Sequence, residues 1–369
     1  MQALSDYVGS RDNNFNLVRF VAASLVLVSH AFALSSGNPE TEPLRQALGV
    51  TPGSIAVDMF FVTSGFLVTA SLLARDNLWA FVAARGLRIY PGLIAAVLLT
   101  VTLAGLAFGS LPFADFLRER ATWSHIAHNT TLVFGVSYQL PGVFEQLPFA
   151  RAINGSLWTL PYEVRMYAAL AALWCLLWLL RRRSRTAFAV LLLALAAALL
   201  AWHLLGRGPR YADHGAMLGA AFFTGAAIYA WCRHVPVSWP LFGACAVATL
   251  VSALQRDLFF VVYTLALPYL VLFLAHVPGG AIRRFNRFGD YSYGVYIYGF
   301  PVQQAVVALV PGIGAGALLA LSAPLTLALA VASWHLVEKR ALAWKDRPWL
   351  RGARTPSASS AAATRRAAP

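Results

Sequence analysis

Charge is scarce in this chain, and acid is scarcer than base. Asp, Glu, Lys and Arg make up 12% of 369 residues, about half the share usual in soluble globular domains, which excludes a fold wetted on all sides. Only 15 Asp and Glu stand against 29 Lys and Arg, a formal net charge of +14, an excess that would suit a nucleic-acid partner if it were gathered on one surface. The arginines instead collect in alternate loops between apolar segments, so no nucleic acid is expected. Cysteine is nearly absent too. Cys175, Cys232 and Cys245 lie in or beside apolar stretches without metal-ligand spacing, and His125, His128, His203, His214, His234 and His276 supply no partners at such spacing, so no metal is expected. No internal repeat and no second soluble domain is visible. The first apolar segment is too long for the core of a usual cleavable signal, and a cut after Ala31-Phe32-Ala33 would discard it.

What the chain has in abundance is apolar length. Hydrophobic residues reach 59% and fall into about ten segments near the ~20 residues a bilayer asks for: 15–34, 55–74, 89–108, 158–180, 187–205, 215–232, 239–254, 258–276, 292–310 and 315–336. The fold expected is all-α, a polytopic transmembrane bundle of about ten spanning helices embedded in a lipid bilayer. Arg75, Arg85, Arg88, the run Arg181 to Arg185, Arg233, Arg283, Arg284, Arg287 and the residues from Lys339 onward fall on one side, which places both termini in the cytoplasm. Residues 1–345 form the membrane unit, and the Ala-, Ser- and Arg-rich 346–369 read as a basic, disordered cytoplasmic tail. The outer stretch 109–155 mixes aromatic and polar residues and is expected to hold short interfacial helices.

Ionisable residues inside apolar segments are costly and are candidates for function by default. The first segment carries Arg19 and His30. Eleven residues at roughly 100° each return to within ~20° of the same face, about 16 Å along the axis. Asp58 enters the second segment at the outer level of His30, where it either supports that imidazole or caps the helix. Arg85 and Arg88, three apart, share a face at the inner mouth and suit either a phosphate or a topological anchor. Glu163 lies in the outer half of the fourth segment behind Pro161, and Arg165 is near enough to pair with it. In the ninth segment Tyr291 and Tyr298 share a face, Gln303 and Gln304 lie near the middle, and Pro301 should loosen the helix. His335 and Glu338, at three-residue spacing, read as a pair closing the last helix.

Several stretches occur together in order: Arg19 followed after ten residues by His30; Val57-Asp58-Met59-Phe60-Phe61-Val62-Thr63-Ser64-Gly65-Phe66-Leu67; Arg85-x-x-Arg88-Ile89-Tyr90-Pro91; Asn154-Gly155-Ser156-Leu157-Trp158-Thr159-Leu160-Pro161-Tyr162-Glu163; and Tyr291-Ser-Tyr-Gly-Val-Tyr-Ile-Tyr298. On these residues the chain, from about 10 to 345, resembles the integral-membrane acyltransferase-3 family, bacterial O-acyltransferases that decorate surface glycans and some secreted metabolites. The resemblance implies an inner-membrane enzyme with an acyl-CoA donor, acetyl-CoA above all, and a carbohydrate or glycoside acceptor. It implies that His30 is the essential histidine and that Arg85 and Arg88 are the paired arginines serving the donor. One departure stands out: Arg340 follows Glu338-Lys339 where many members have proline.

The mechanism expected from this likeness threads the donor from Arg85, Arg88 and Arg19 along a wall containing Tyr291 and Tyr298 to His30. That histidine acts as general base, tuned by Asp58 or Glu163, or itself carries the acyl group as an acyl-histidine intermediate, while Asn154, Ser156, Trp158 and Ser64 serve the substrate, in part as oxyanion donors. One passage, about as long as an extended pantetheine arm, should join the arginines to His30. The composition leaves a homo-oligomer open. It also admits a transporter or flippase that uses the buried charges as a path, although the missing repeat argues against it.

Overall fold

The computed structural model describes residues 2–10, 12–75, 77–180, 184–205 and 214–346. The tail expected to be disordered, Arg181 to Arg183, Arg207 and Arg210 fall almost wholly outside the described residues. All ten apolar segments are helical: α1 (Phe15–Ser36), α2 (Pro52–Arg75), α3 (Leu78–Phe108), α4 (Leu160–Leu179), α5 (Arg185–Leu205), α6 (His214–Ala230), α7 (Trp239–Ser252), α8 (Arg256–His276), α9 (Ser292–Leu309) and α10 (Ala315–Ser333). Two short helices, Phe113–Arg118 and Arg120–Thr131, occupy the stretch between α3 and α4. Gln2–Ala3 pairs antiparallel with Pro236–Val237 and ties the N-terminus to the turn after α6.

The protein is an all-α bundle, but the expectation of about ten spanning helices needs correction. Among the described residues seven helices are long and apolar enough to cross a membrane. The three that fall short are α6 with 17 residues, α7 with 14, and α9, whose 18 residues include Gln303, Gln304 and three tyrosines. At ~1.5 Å per residue α7 is only about 21 Å long, less than the hydrocarbon thickness of ~30 Å.

A second difference concerns α3, which begins eleven residues before the expected start. Asn77 Oδ1 accepts a hydrogen bond from the Ala80 amide at 3.1 Å and caps an apolar first turn, Leu78-Trp79-Ala80-Phe81-Val82. Arg85 and Arg88 therefore stand on the helix itself.

α1 runs through the middle of the bundle against α2, α8, α9 and α10, and α2 crosses α6 closely. In lipid, apolar surface gains nothing by leaving the solvent, so helices associate where small residues let backbones approach. Gly65 of α2 lies on the carbonyl of Phe222, and Gly225 of α6 lies on the carbonyl of Val62. This reciprocal contact holds α2 and, with it, Ser64.

The last helix does not end as expected either. After Ser333 one π-helical turn, Trp334–Glu338, inserts extra residues, a device common at functional positions. It rotates Glu338 inward to 2% exposure, where Ser333 Oγ donates to Glu338 Oε1 at 2.8 Å. His335 is left exposed beside the Tyr291 hydroxyl at 3.3 Å, so the expected His335–Glu338 pair is replaced by these two contacts.

Candidate functional site

A cavity of about 440 Å³ lies between α1, α2, α3, α4 and α9 and reaches the segment after α10. The elements place their chemistry in three levels. At the end where α1 and α9 begin stand Arg19, Arg85, Arg88, Asp290 and Lys345; in the middle are Ser64, Glu163, Tyr167 and Tyr293; at the far end Phe60, Phe61, Leu160 and Tyr296 close it.

Asp290 organises the first level. Its Oδ2 accepts from Arg19 Nη1 at 3.1 Å and from Arg88 Nη2 at 2.6 Å, and its Oδ1 accepts from Ser292 Oγ at 2.5 Å. Burial alone would push this carboxyl upward, but Arg19 and Arg88 outweigh it and hold Asp290 well below the usual carboxylate range. Arg88 also sits 5.8 Å from the ring centroid of Tyr293, a cation–π distance. In the second level Glu163 Oε1 accepts from Ser64 Oγ at 3.1 Å and from the Tyr167 hydroxyl. The third level is fixed by Tyr296, whose hydroxyl donates to the Ser156 carbonyl at 2.5 Å and lies 2.6 Å from Thr159 Oγ1. Among the described residues no group of three or more His, Cys, Asp or Glu side chains is placed to hold a metal.

The acyltransferase-3 profile, described as an acyltransferase domain, matches residues 12–335. This chain belongs to the acyltransferase-3 family. It is 33% identical over 353 residues to the O-acetyl transferase of Shigella phage Sf6, covering 90% of this chain and 96% of that protein. It is 28% identical over 364 residues to Nodulation protein 10 of Rhizobium leguminosarum bv. viciae, covering 92% of this chain and 95% of that protein. No solved structure matches it. Family membership and the apolar helices together make it a membrane-embedded enzyme of the acyltransferase type.

The acyltransferase brings five of its sequence-predicted residues to this cavity: Arg19, Arg85, Arg88, Glu163 and Ser64. The others lie elsewhere. His30, half-buried, packs edge-on against Phe300 with ring centroids 5.1 Å apart and is not among the described lining residues. Along α9 the lining reaches Tyr296, and Phe300, which meets His30, lies one turn further. Asp58 accepts from the Tyr263 hydroxyl at 2.8 Å and borders water-sized spaces shared with His203. Glu163 bonds Ser64 and Tyr167, while Arg165 stacks on Tyr162 at 5.4 Å.

Asn154 uses both its polar groups within the protein, its Nδ2 on the Ile297 carbonyl at 2.8 Å and its Oδ1 on the Ser156 amide at 3.1 Å. Ser156 is buried, and its Oγ has no partner among the described residues. Trp158 packs on His214 at 4.8 Å. Tyr291 precedes α9 and meets His335, and Tyr298 faces away from the cavity.

Asp290, Tyr167, Tyr293 and Tyr296 were not singled out from the sequence. Two of the signals were available. Asp290 is the one acidic residue between Asp257 and Glu338, and Tyr293 and Tyr296 are three apart and so form a face of their own. The pair Tyr291 and Tyr298 belongs to a different face of the same helix.

Proposed function

We propose that this protein transfers an acyl group, acetyl first, from acyl-CoA to a hydroxyl of a carbohydrate or glycoside in the bacterial inner membrane, with both termini in the cytoplasm. The observation that carries this is the cavity with three arginines at one end and Glu163 hydrogen-bonded to Ser64 deeper in. Arg19 and Arg88 share Asp290, and guanidinium groups at that end suit the phosphates of a CoA donor, which they grip bidentately. The residues fit such a donor, with Arg85 and Lys345 at the same end of the cavity. The name of the phage relative, O-acetyl transferase, supports acetyl as the group moved.

In this reading the donor's thioester lies at the level of Glu163 and Tyr296. The acceptor oxygen bonds to the acyl carbon, its proton passes to His30, the thioester C–S bond breaks, and the thiolate leaves toward the arginines. Glu163, held by Ser64 and Tyr167, orients the reacting groups, and Asp58 supports the outer half through Tyr263. The acceptor arrives from the outer side, where His30 packs against Phe300.

The test is protein in lipid nanodiscs with labelled acetyl-CoA and a panel of bacterial polysaccharides and glycosides, following free CoA and labelled product. His30→Ala is expected to abolish transfer while CoA still binds, and the double variant Arg85→Ala, Arg88→Ala to lose CoA binding. Transfer by His30→Ala at wild-type rates would remove the base assignment. Undiminished CoA binding by the double variant would remove the donor site.

A further inference from the structure

We infer that Phe60 and Tyr296 form the end wall of the acyl pocket and restrict the donor to short acyl chains. The inference rests on the donor reading above and adds to it the residues that choose among acyl groups. From Val68 to Val57 the cavity follows α2 for eleven residues, about 16 Å at ~1.5 Å per residue. A pantetheine arm running from the arginine level fills that length, and the acyl group then meets the closed end.

That end is lined mainly by apolar side chains. Val57, Phe61, Leu160 and Tyr296 are all buried. Phe60 meets the Tyr296 ring edge-on with centroids 5.6 Å apart. Tyr296 cannot turn away cheaply, because its hydroxyl is tied to both Thr159 and the Ser156 carbonyl, and a buried hydroxyl stripped of partners is costly. One turn on, Phe300 is wedged between His30, 5.1 Å away centroid to centroid, and Gly155, where a Cβ would come within 2.5 Å of Phe300 Cε2. Interiors packed in this way answer extra methylenes with strain rather than by yielding. One methylene too many in a fitted pocket changes selectivity by roughly 10- to 200-fold.

The experiment measures competition of CoA, acetyl-CoA, butyryl-CoA and octanoyl-CoA against labelled CoA on protein in nanodiscs, with empty nanodiscs subtracted. For the wild type, acetyl-CoA should bind within about threefold of CoA and octanoyl-CoA at least tenfold more weakly. Phe60→Ala should bring octanoyl-CoA to within about threefold of acetyl-CoA, and Phe60→Leu should fall between. Tyr296→Phe keeps the ring in place and should retain most of the discrimination. Octanoyl-CoA binding to wild type as tightly as acetyl-CoA overturns the inference, as does an unchanged gap in a folded Phe60 variant. Should Phe60→Ala fail to fold, the wild-type series and Phe60→Leu still decide. If unlabelled CoA fails to compete at all, it is the donor reading that falls.

Discussion

The closest joint in the bundle is the crossing of α2 and α6, and Gly65→Ala tests whether it holds the site together. A Cβ on Gly65 would fall on the Phe222 carbonyl oxygen, 2.7 Å from its carbon and 3.1 Å from the Ala226 amide nitrogen. Ordinary contact begins near 3.4 Å, so the two backbones must part by at least about 0.7 Å, the difference between those distances. The obstacle is a helix backbone that cannot rotate aside like a side chain. Overpacking typically costs ~1–3 kcal/mol, and the upper end, about 3 kcal/mol, is expected here. Because Gly65 follows Ser64, whose hydroxyl is 3.1 Å from Glu163, the same displacement should also lower transfer. The assay is the apparent unfolding temperature in one detergent, beside Gly243→Ala on α7, where a Cβ meets nothing within 4 Å. Gly243→Ala should be neutral or slightly stabilising, since alanine is the better helix former. A Gly65→Ala protein melting within about 2 °C of wild type, less than 3 kcal/mol should produce, would refute the reasoning.

Three further outcomes follow from the same contacts. Asp290→Ala leaves the half-buried Arg19 and Arg88 facing each other without their shared carboxylate, which should cost up to about 3 kcal/mol. Thermal unfolding reads this, and a melting point equal to wild type would mean that the arginines find other partners. His125 on the outer helix Arg120–Thr131 is buried; its Nδ1 donates to the Gln139 carbonyl at 2.9 Å, and its Nε2 accepts from Asn129, whose orientation is set by Ser137. Burial lowers its pKa to about 4, so the unfolded form binds the proton first. Stability should therefore fall as pH drops from about 6.5 toward 4, by at most ~1.4 kcal/mol per pH unit from this group. His125→Gln should flatten that part of the profile, and an unchanged slope would exclude His125 as its source. Asn154→Leu removes the donor from the Ile297 carbonyl and should cost about 1–3 kcal/mol, read again as melting temperature.

The helices were legible because each apolar run is long and bounded by polar or glycine residues, as α1 is by Asn14 and Gly37. The start of α3 was not, because Arg85 and Arg88 interrupt its hydropathy and the Asn77 cap lies far from the apolar centre. Arg19, Arg85, Arg88 and Glu163 could be found as charges where charge is expensive. Their convergence on one cavity depends on how α1, α3 and α4 pack, which no single segment encodes. The choice of Tyr291 and Tyr298 was a question of helix face. Periodicity groups tyrosines into faces but does not say which face meets α2 and α4.

The stretch Asn154-Gly155-Ser156 shows how a polar motif inside a membrane bundle serves the fold. Pro301 lacks an amide hydrogen, so the carbonyl four residues earlier, that of Ile297, loses its helical partner. Asn154 supplies the replacement, as buried backbone groups in lipid require. That bond docks the turn before α4 onto α9 at one height. Gly155 is needed there because Phe300 leaves no room for a Cβ. The Ser156 carbonyl and Thr159 hydroxyl then meet Tyr296. A proline in one helix is thereby coupled, through an asparagine in a distant loop, to the tyrosine that closes the cavity. If the cavity holds the donor as proposed, loss of the motif should alter which donors bind as well as how firmly the bundle holds.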